Sequence, residues 1–222
     1  MGLVTLEILL SNISIWSILL PIIVGFGKFP RLNSESRIIL YIVILAAIPQ
    51  ILRAFIDHSD TLNILYNLYT FIEYILIALL FYKIEPDGRK IYYFNTIIYA
   101  LIVCYFVINY GIADRFLHEL VSINNFFYIL WILLVIVKKH NSDDSFHLFD
   151  LRYPLFWYMS GLLFYSICTF IIFLMWGFIK SHPKSMLTHL WIIHYIFNIN
   201  MYLAFSIGMY KSKRGVNSYA LN

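Results

Sequence analysis

The sequence predicts an all-α polytopic membrane protein, a bundle of seven transmembrane helices with its N-terminus outside and its C-terminus in the cytoplasm. Three observations carry that expectation. Hydrophobic residues make up 61% of the 222-residue chain and charged residues only 13%, whereas soluble domains are about half apolar and about one-quarter charged. The apolar residues gather into seven runs, each long enough to cross a hydrocarbon core of about 30 Å at about 1.5 Å per residue. Twelve of the sixteen Lys and Arg residues fall in alternate gaps between those runs, the pattern left when basic residues are retained on the cytoplasmic side.

The runs cover residues 3–24, 38–56, 64–84, 91–113, 121–137, 154–179 and 190–210, a single transmembrane domain over 1–210 followed by a short basic tail, 211–222. Each is expected to be helical, because a chain crossing lipid must satisfy its backbone polar groups internally. Pro21 and Pro49 lie inside the first and second runs, where each removes a backbone donor and favours a kink. Turn signals separate the runs at Gly27-Lys28-Phe29-Pro30, Glu85-Pro86-Asp87-Gly88 and His182-Pro183. The first gap holds Lys28, Arg31 and Arg37, the third Lys83, Arg89 and Lys90, the fifth Lys138, Lys139 and Arg152, and the tail Lys211, Lys213 and Arg214. Against these the opposite side has Arg53, Arg115, Lys180 and Lys184, which sets the N-terminus outside.

Several function classes are disfavoured. The +4 net charge belongs to helix ends on one membrane face, so no nucleic-acid partner is expected. The first run lacks the basic start and small-residue cleavage pattern of a removable signal and is expected to stay as a span. Gly2 is followed at position 6 by Leu6, which disfavours a myristoyl anchor. Cys104 and Cys168 both fall inside runs and are too few for a thiolate metal site. With no paired-carboxylate or H-E-x-x-H pattern and no evident nucleophile and base, we expect neither catalytic residues nor a metal nor a cofactor. A retinal Schiff base is disfavoured because the seventh run has no lysine before Lys211.

The informative residues are polar groups inside the bilayer, since an acid at its centre costs about 2.5–3.5 kcal/mol on insertion scales and faces the bundle interior. Glu73 lies near the middle of the third run, and Asn67, Thr70 and Glu73 recur at three-residue steps, which puts them on one flank of a helix. In the seventh run His194, Asn198, Tyr202 and Ser206 follow at steps of four and share a face. Arg53, with Gln50 three residues before it, either snorkels to the outer surface or turns in toward Glu73. Asn12, Gln50, Arg53, Asn67, Thr70, Asn109, Asn124, Asn125, His194 and Asn198 all fall in the outer halves of their spans, which suggests a pocket open to the outside. The competing reading is a set of hydrogen bonds gluing helices together. Trp157 and Trp191 are expected at the membrane interface, and Trp16, Trp131 and Trp176 in packing.

Asn67-Leu68-Tyr69-Thr70-Phe71-Ile72-Glu73-Tyr74, Pro154-Leu155-Phe156-Trp157-Tyr158-Met159-Ser160-Gly161-Leu162-Leu163-Phe164-Tyr165, and His194 followed by Asn198 together resemble a pattern in uncharacterised seven-span integral membrane proteins of Bacteroidetes-type bacteria. Similar regions form the membrane sensor halves of bacterial histidine kinases. That resemblance implies a sensor or receptor-like module in the inner membrane, although this chain departs from those kinases in lacking a cytoplasmic effector. The expectation is therefore a protein that binds a small or lipidic ligand from the outer side and signals through a separate cytoplasmic or membrane partner. Glu73, Asn67, Thr70, His194 and Asn198 would line the pocket, and Gln50, Arg53, Asn124 and Asn125 would contribute from its outer side. Two alternatives remain open, a small-solute or proton-coupled transporter using Glu73 and an accessory subunit of a membrane complex.

Overall fold

A computed structural model describes residues 2–53, 55–56, 58–140, 150–176, 178 and 184–212. All regular structure among the described residues is helical: α1 (Gly2–Ser17), α2 (Leu19–Gly27), α3 (Ser34–Leu52), α4 (Ser59–Ile84), α5 (Arg89–Tyr110), α6 (His118–His140), α7 (Pro154–Leu174) and α8 (Lys184–Lys211). Short 3-10 turns at Phe29–Arg31 and Pro86–Gly88 lie between α2 and α3 and between α4 and α5. Seven stretches are long and apolar enough to cross a membrane, the first being Val4–Gly27, which comprises most of α1 and all of α2. The His182-Pro183 turn, Lys180, Lys213 and Arg214 lie outside the described residues.

Local chemistry explains where these helices break and stop. The first span is interrupted at Ile18, between Ser17 and Leu19, because the Pro21 ring would collide with the carbonyl four residues earlier, that of Ser17. Gly25 then lets α2 approach closely: a Cβ there would lie 3.1 Å from the Met209 sulfur of α8 and 2.5 Å from a methyl of Leu40 in α3. Asn33 caps α3 by accepting from the Ser36 N–H at 3.0 Å, so the helix begins below the apolar run, at a polar turn. It stops at Leu52, three residues past Pro49. α5 ends at Gly111, whose φ of 69° lies in the left-handed region that glycine enters without a Cβ penalty. Pro154 occupies the first turn of α7, where its missing N–H costs nothing.

Consecutive neighbours close a ring. α8 packs on α7, α1 and α2, α2 on α3, α3 on α4, α4 on α6, and α6 on α7. α5 stands at the periphery against α4, and its residues Ile97, Leu101 and Ile108 are 61%, 66% and 81% exposed. In a membrane such a face is solvated by lipid. The seam between α4, α5 and α6 is aromatic: Tyr74 and Tyr99 stack with centroids 3.7 Å apart, and Trp131, fully buried, sits 5.4 Å from Tyr74 and 5.6 Å from Tyr92. Trp16, expected in packing, instead points outward at 67% exposure, since α1 meets the bundle through its other side.

At the end of the bundle shared by the α2–α3 link and the C-terminus of α8, polar contacts fasten the ring. Lys28 Nζ donates to the Tyr210 carbonyl at 2.6 Å and lies 3.6 Å over the centre of its ring. The Asn33 N–H donates to Ser212 Oγ at 3.0 Å, and that hydroxyl donates to Asn33 Oδ1 at 3.1 Å. Tyr158 OH of α7 donates to Ser36 Oγ of α3 at 2.6 Å, and Lys138 of α6 pairs with Glu85 at 3.4 Å.

Candidate functional site: a carboxyl among tyrosines at mid-span

Within the ring lies a narrow cavity, lined by Ile39, Ile42, Val43 and Ala46 of α3, Tyr69, Glu73 and Ile77 of α4, Tyr128 of α6, Leu162 and Tyr165 of α7, and Met201, Tyr202 and Phe205 of α8. The α4 contribution follows helical geometry, since residues at steps of four stack on one face. Tyr69 and Glu73 are one such step apart, and Tyr69 OH donates to Glu73 Oε1 at 2.5 Å. Tyr69 is the one donor to this carboxyl that the described residues provide, and the Tyr128 hydroxyl is buried without a partner. The cavity volume is about 20 Å³, room for about one water. None of the lining residues is Lys, Arg or His.

The structure separates the expected site residues according to the helix faces they occupy. Asn67 turns toward the α5–α6 link: its Nδ2 donates to the carbonyls of Ile112 and Arg115 at 2.8 and 2.9 Å, and its Oδ1 accepts from the Leu117 N–H at 2.9 Å. Thr70 Oγ1 donates to the Tyr66 carbonyl on its own helix, and Asn124 Nδ2 of α6 donates to the Thr70 carbonyl at 3.0 Å. Asn67 and Thr70 therefore join α4 to α6 and its preceding link, while Glu73, round the helix from them, faces the cavity. Asn125 Nδ2 donates to the Val121 carbonyl within α6.

On α8, His194 lies 3.4 Å through Nδ1 from Thr169 Oγ1 of α7, among the rings of Tyr165, Phe173, Trp191 and Tyr195. Asn198 turns the other way and donates to Ser14 Oγ of α1 at 2.8 Å. Neither is a lining residue of the Glu73 cavity, although Tyr202 is. A step of four residues advances about 40° round a helix, so His194 and Tyr202 differ by about 80°. Arg53 is exposed at the end of α3 and Gln50 is half-buried one turn before it; neither lines the cavity.

Sequence reasoning placed Tyr202 on the His194 face but missed Tyr69, Tyr128 and Tyr165 as its companions. Tyr69, Tyr128, Tyr165 and Tyr202 come from four helices and meet round one carboxyl, but eighteen tyrosines spread through the chain hide that grouping. The usable signal was mid-span position: a tyrosine far from either interface is not serving the aromatic belt. Among the described residues no three His, Cys, Asp or Glu side chains come together to hold a metal. What the arrangement offers chemically is one acid, with hydroxyl and aromatic neighbours, in a water-sized space between five helices. Comparison with known proteins adds no relative: no family model, no curated protein and no solved structure matches this chain.

Proposed function

We propose that this chain is a receptor-like multi-pass membrane protein in which the Glu73 cavity takes up a small ligand from the outer side and passes its occupancy to a separate partner. One observation carries the reading: Glu73 sits where α3, α4, α6, α7 and α8 converge. An occupant there presses on five helices at once, and close-packed interiors answer such pressure by shifting as units. The contacts among the α2–α3 link, α7 and α8 at one end of the bundle would carry such a shift. The basic residues assign that end to the cytoplasm, and the resemblance to Bacteroidetes-type seven-span proteins supports an inner-membrane location. The confined volume favours a small ligand over a lipidic one.

The test is recovery of partners from native membranes in lipid nanodiscs, with wild type beside Glu73→Gln. A stoichiometric partner whose association or activity changes on the substitution is the expected result. Recovery of partners wholly indifferent to Glu73 would overturn the reading.

A second reading has its own support. A mid-span carboxyl with no basic neighbour in its cavity is the arrangement that proton carriers use, and a proton or water needs no more space than is present. Proton or solute flux into proteoliposomes that vanishes with Glu73→Gln would favour a transporter.

A further inference from the structure

We propose that the ligand of the Glu73 cavity is a small ammonium-type cation, ammonium itself or a short protonated primary amine. This rests on the reading of the cavity as a binding site and names the chemistry it selects.

Charge comes first. A carboxylate withdrawn from water is costly unless a positive group accompanies it, and no basic side chain lines this cavity. Tyr69 alone donates to Glu73 among the described residues, which leaves one carboxyl oxygen to be matched. Arg53, the nearest basic candidate in the sequence reading, is exposed at the end of α3. The missing positive charge is therefore one that an occupant can bring.

The walls then select among cations. Tyr69, Tyr128, Tyr165, Tyr202 and Phe205 line the same space, and aromatic rings attract ammonium groups through their negative faces, the means by which proteins recognise amine cations. Tyr128 lines the cavity and its buried hydroxyl has no partner, so in the proposed complex a small turn of this side chain lets it accept one N–H while Glu73 accepts another. A hard divalent ion is a poor match, because it asks for six or more oxygen ligands and this wall offers one carboxylate. Size sets the upper limit: ammonium is close to water in volume, methylammonium adds one methyl group, and tetramethylammonium exceeds the space.

The experiment is thermal unfolding of the full chain in lipid nanodiscs with methylammonium chloride, against equal concentrations of sodium chloride, tetramethylammonium chloride and the neutral probe acetamide. Methylammonium is expected to raise the unfolding midpoint by about 2–5 °C at saturating concentration, as binding to the folded state requires, and the two control salts to leave it unchanged. Glu73→Gln, nearly isosteric, abolishes the shift. Tyr128→Phe keeps the ring and loses the acceptor, so its half-saturating concentration rises about three- to tenfold. Acetamide shifting wild type but not Glu73→Gln, with methylammonium inert, overturns the cation assignment and leaves the binding cavity standing. If both probes are inert toward a protein that unfolds cooperatively, the cation assignment falls, whereas the ligand-binding reading stands or falls with the Glu73-dependent recovery of partners.

Discussion

Asn67 shows how one side chain can be polar, intramembrane and architectural at once. Its amide satisfies two carbonyls and one N–H of the segment joining α5 to α6, groups that would otherwise be stranded near the hydrocarbon. Replacing it by Ala leaves three backbone groups unmatched at about 1–3 kcal/mol each before relaxation. We expect Asn67→Ala to destabilise the protein by about 2–4 kcal/mol in nanodisc unfolding experiments while sparing Glu73-dependent binding; equal loss of binding in the folded variant would give Asn67 a role in the cavity. Glu73 predicts the reverse pattern. It lines space rather than bridging helices, so Glu73→Gln should change stability by less than about 1 kcal/mol and act on function instead, and a collapse of the fold would favour a purely structural carboxyl. Sequence spacing put Asn67, Thr70 and Glu73 on one flank, but three-residue steps span about 120° of helix surface. That arc is wide enough for the first two to meet α6 and its link while the third meets the cavity.

At the scale of elements, small residues set how closely helices approach. A Cβ on Gly161 of α7 would lie 2.8 Å from the Ala204 Cβ and 3.4 Å from the Met201 carbonyl of α8, so this glycine lets two backbones come together as small residues do between membrane helices. Gly161→Val should cost about 1–3 kcal/mol by overpacking and disturb the α7 and α8 walls of the cavity. Gly27, where an added Cβ meets nothing within 4 Å, is the control: Gly27→Ala should be neutral within about 0.5 kcal/mol. Equal midpoints for the two variants would show that the α7–α8 approach is not tight. The apolar runs located the helices but not their ends: α3 and α4 begin at Ser34 and Ser59, ahead of the runs expected from 38 and 64, because their first turns are polar. The break at Ile18 was only partly legible, because Pro21 announces a kink without saying whether neighbouring helices will straighten it.

For the molecule as a whole, the distribution of basic residues predicts sidedness. In a chain whose Cys104 and Cys168 are replaced by Ala, a cysteine at Ser59, in the first turn of α4, should react with a membrane-impermeant maleimide on intact spheroplasts. One at Asp87, between α4 and α5, should react only after lysis. The opposite labelling would reverse the orientation and put the α2–α3 and α8 contacts outside. The same experiment bears on output, since those contacts can signal inward only if they face the cytoplasm.

The sequence by itself determined the number of spans, their helical nature and the presence of an acid at mid-span, because the bilayer imposes length and backbone satisfaction on every segment that crosses it. Only the tertiary structure decided which way each helix is turned about its own axis. In a soluble bundle the apolar stripe reports that rotation. Here lipid-facing residues such as Ile97 and Leu101 are as apolar as buried ones such as Leu80 and Ile132, so the stripe is absent. Rotation is settled instead by close packing between helices, which brought four tyrosines to Glu73 and sent Asn67, Asn198 and His194 to three different neighbours.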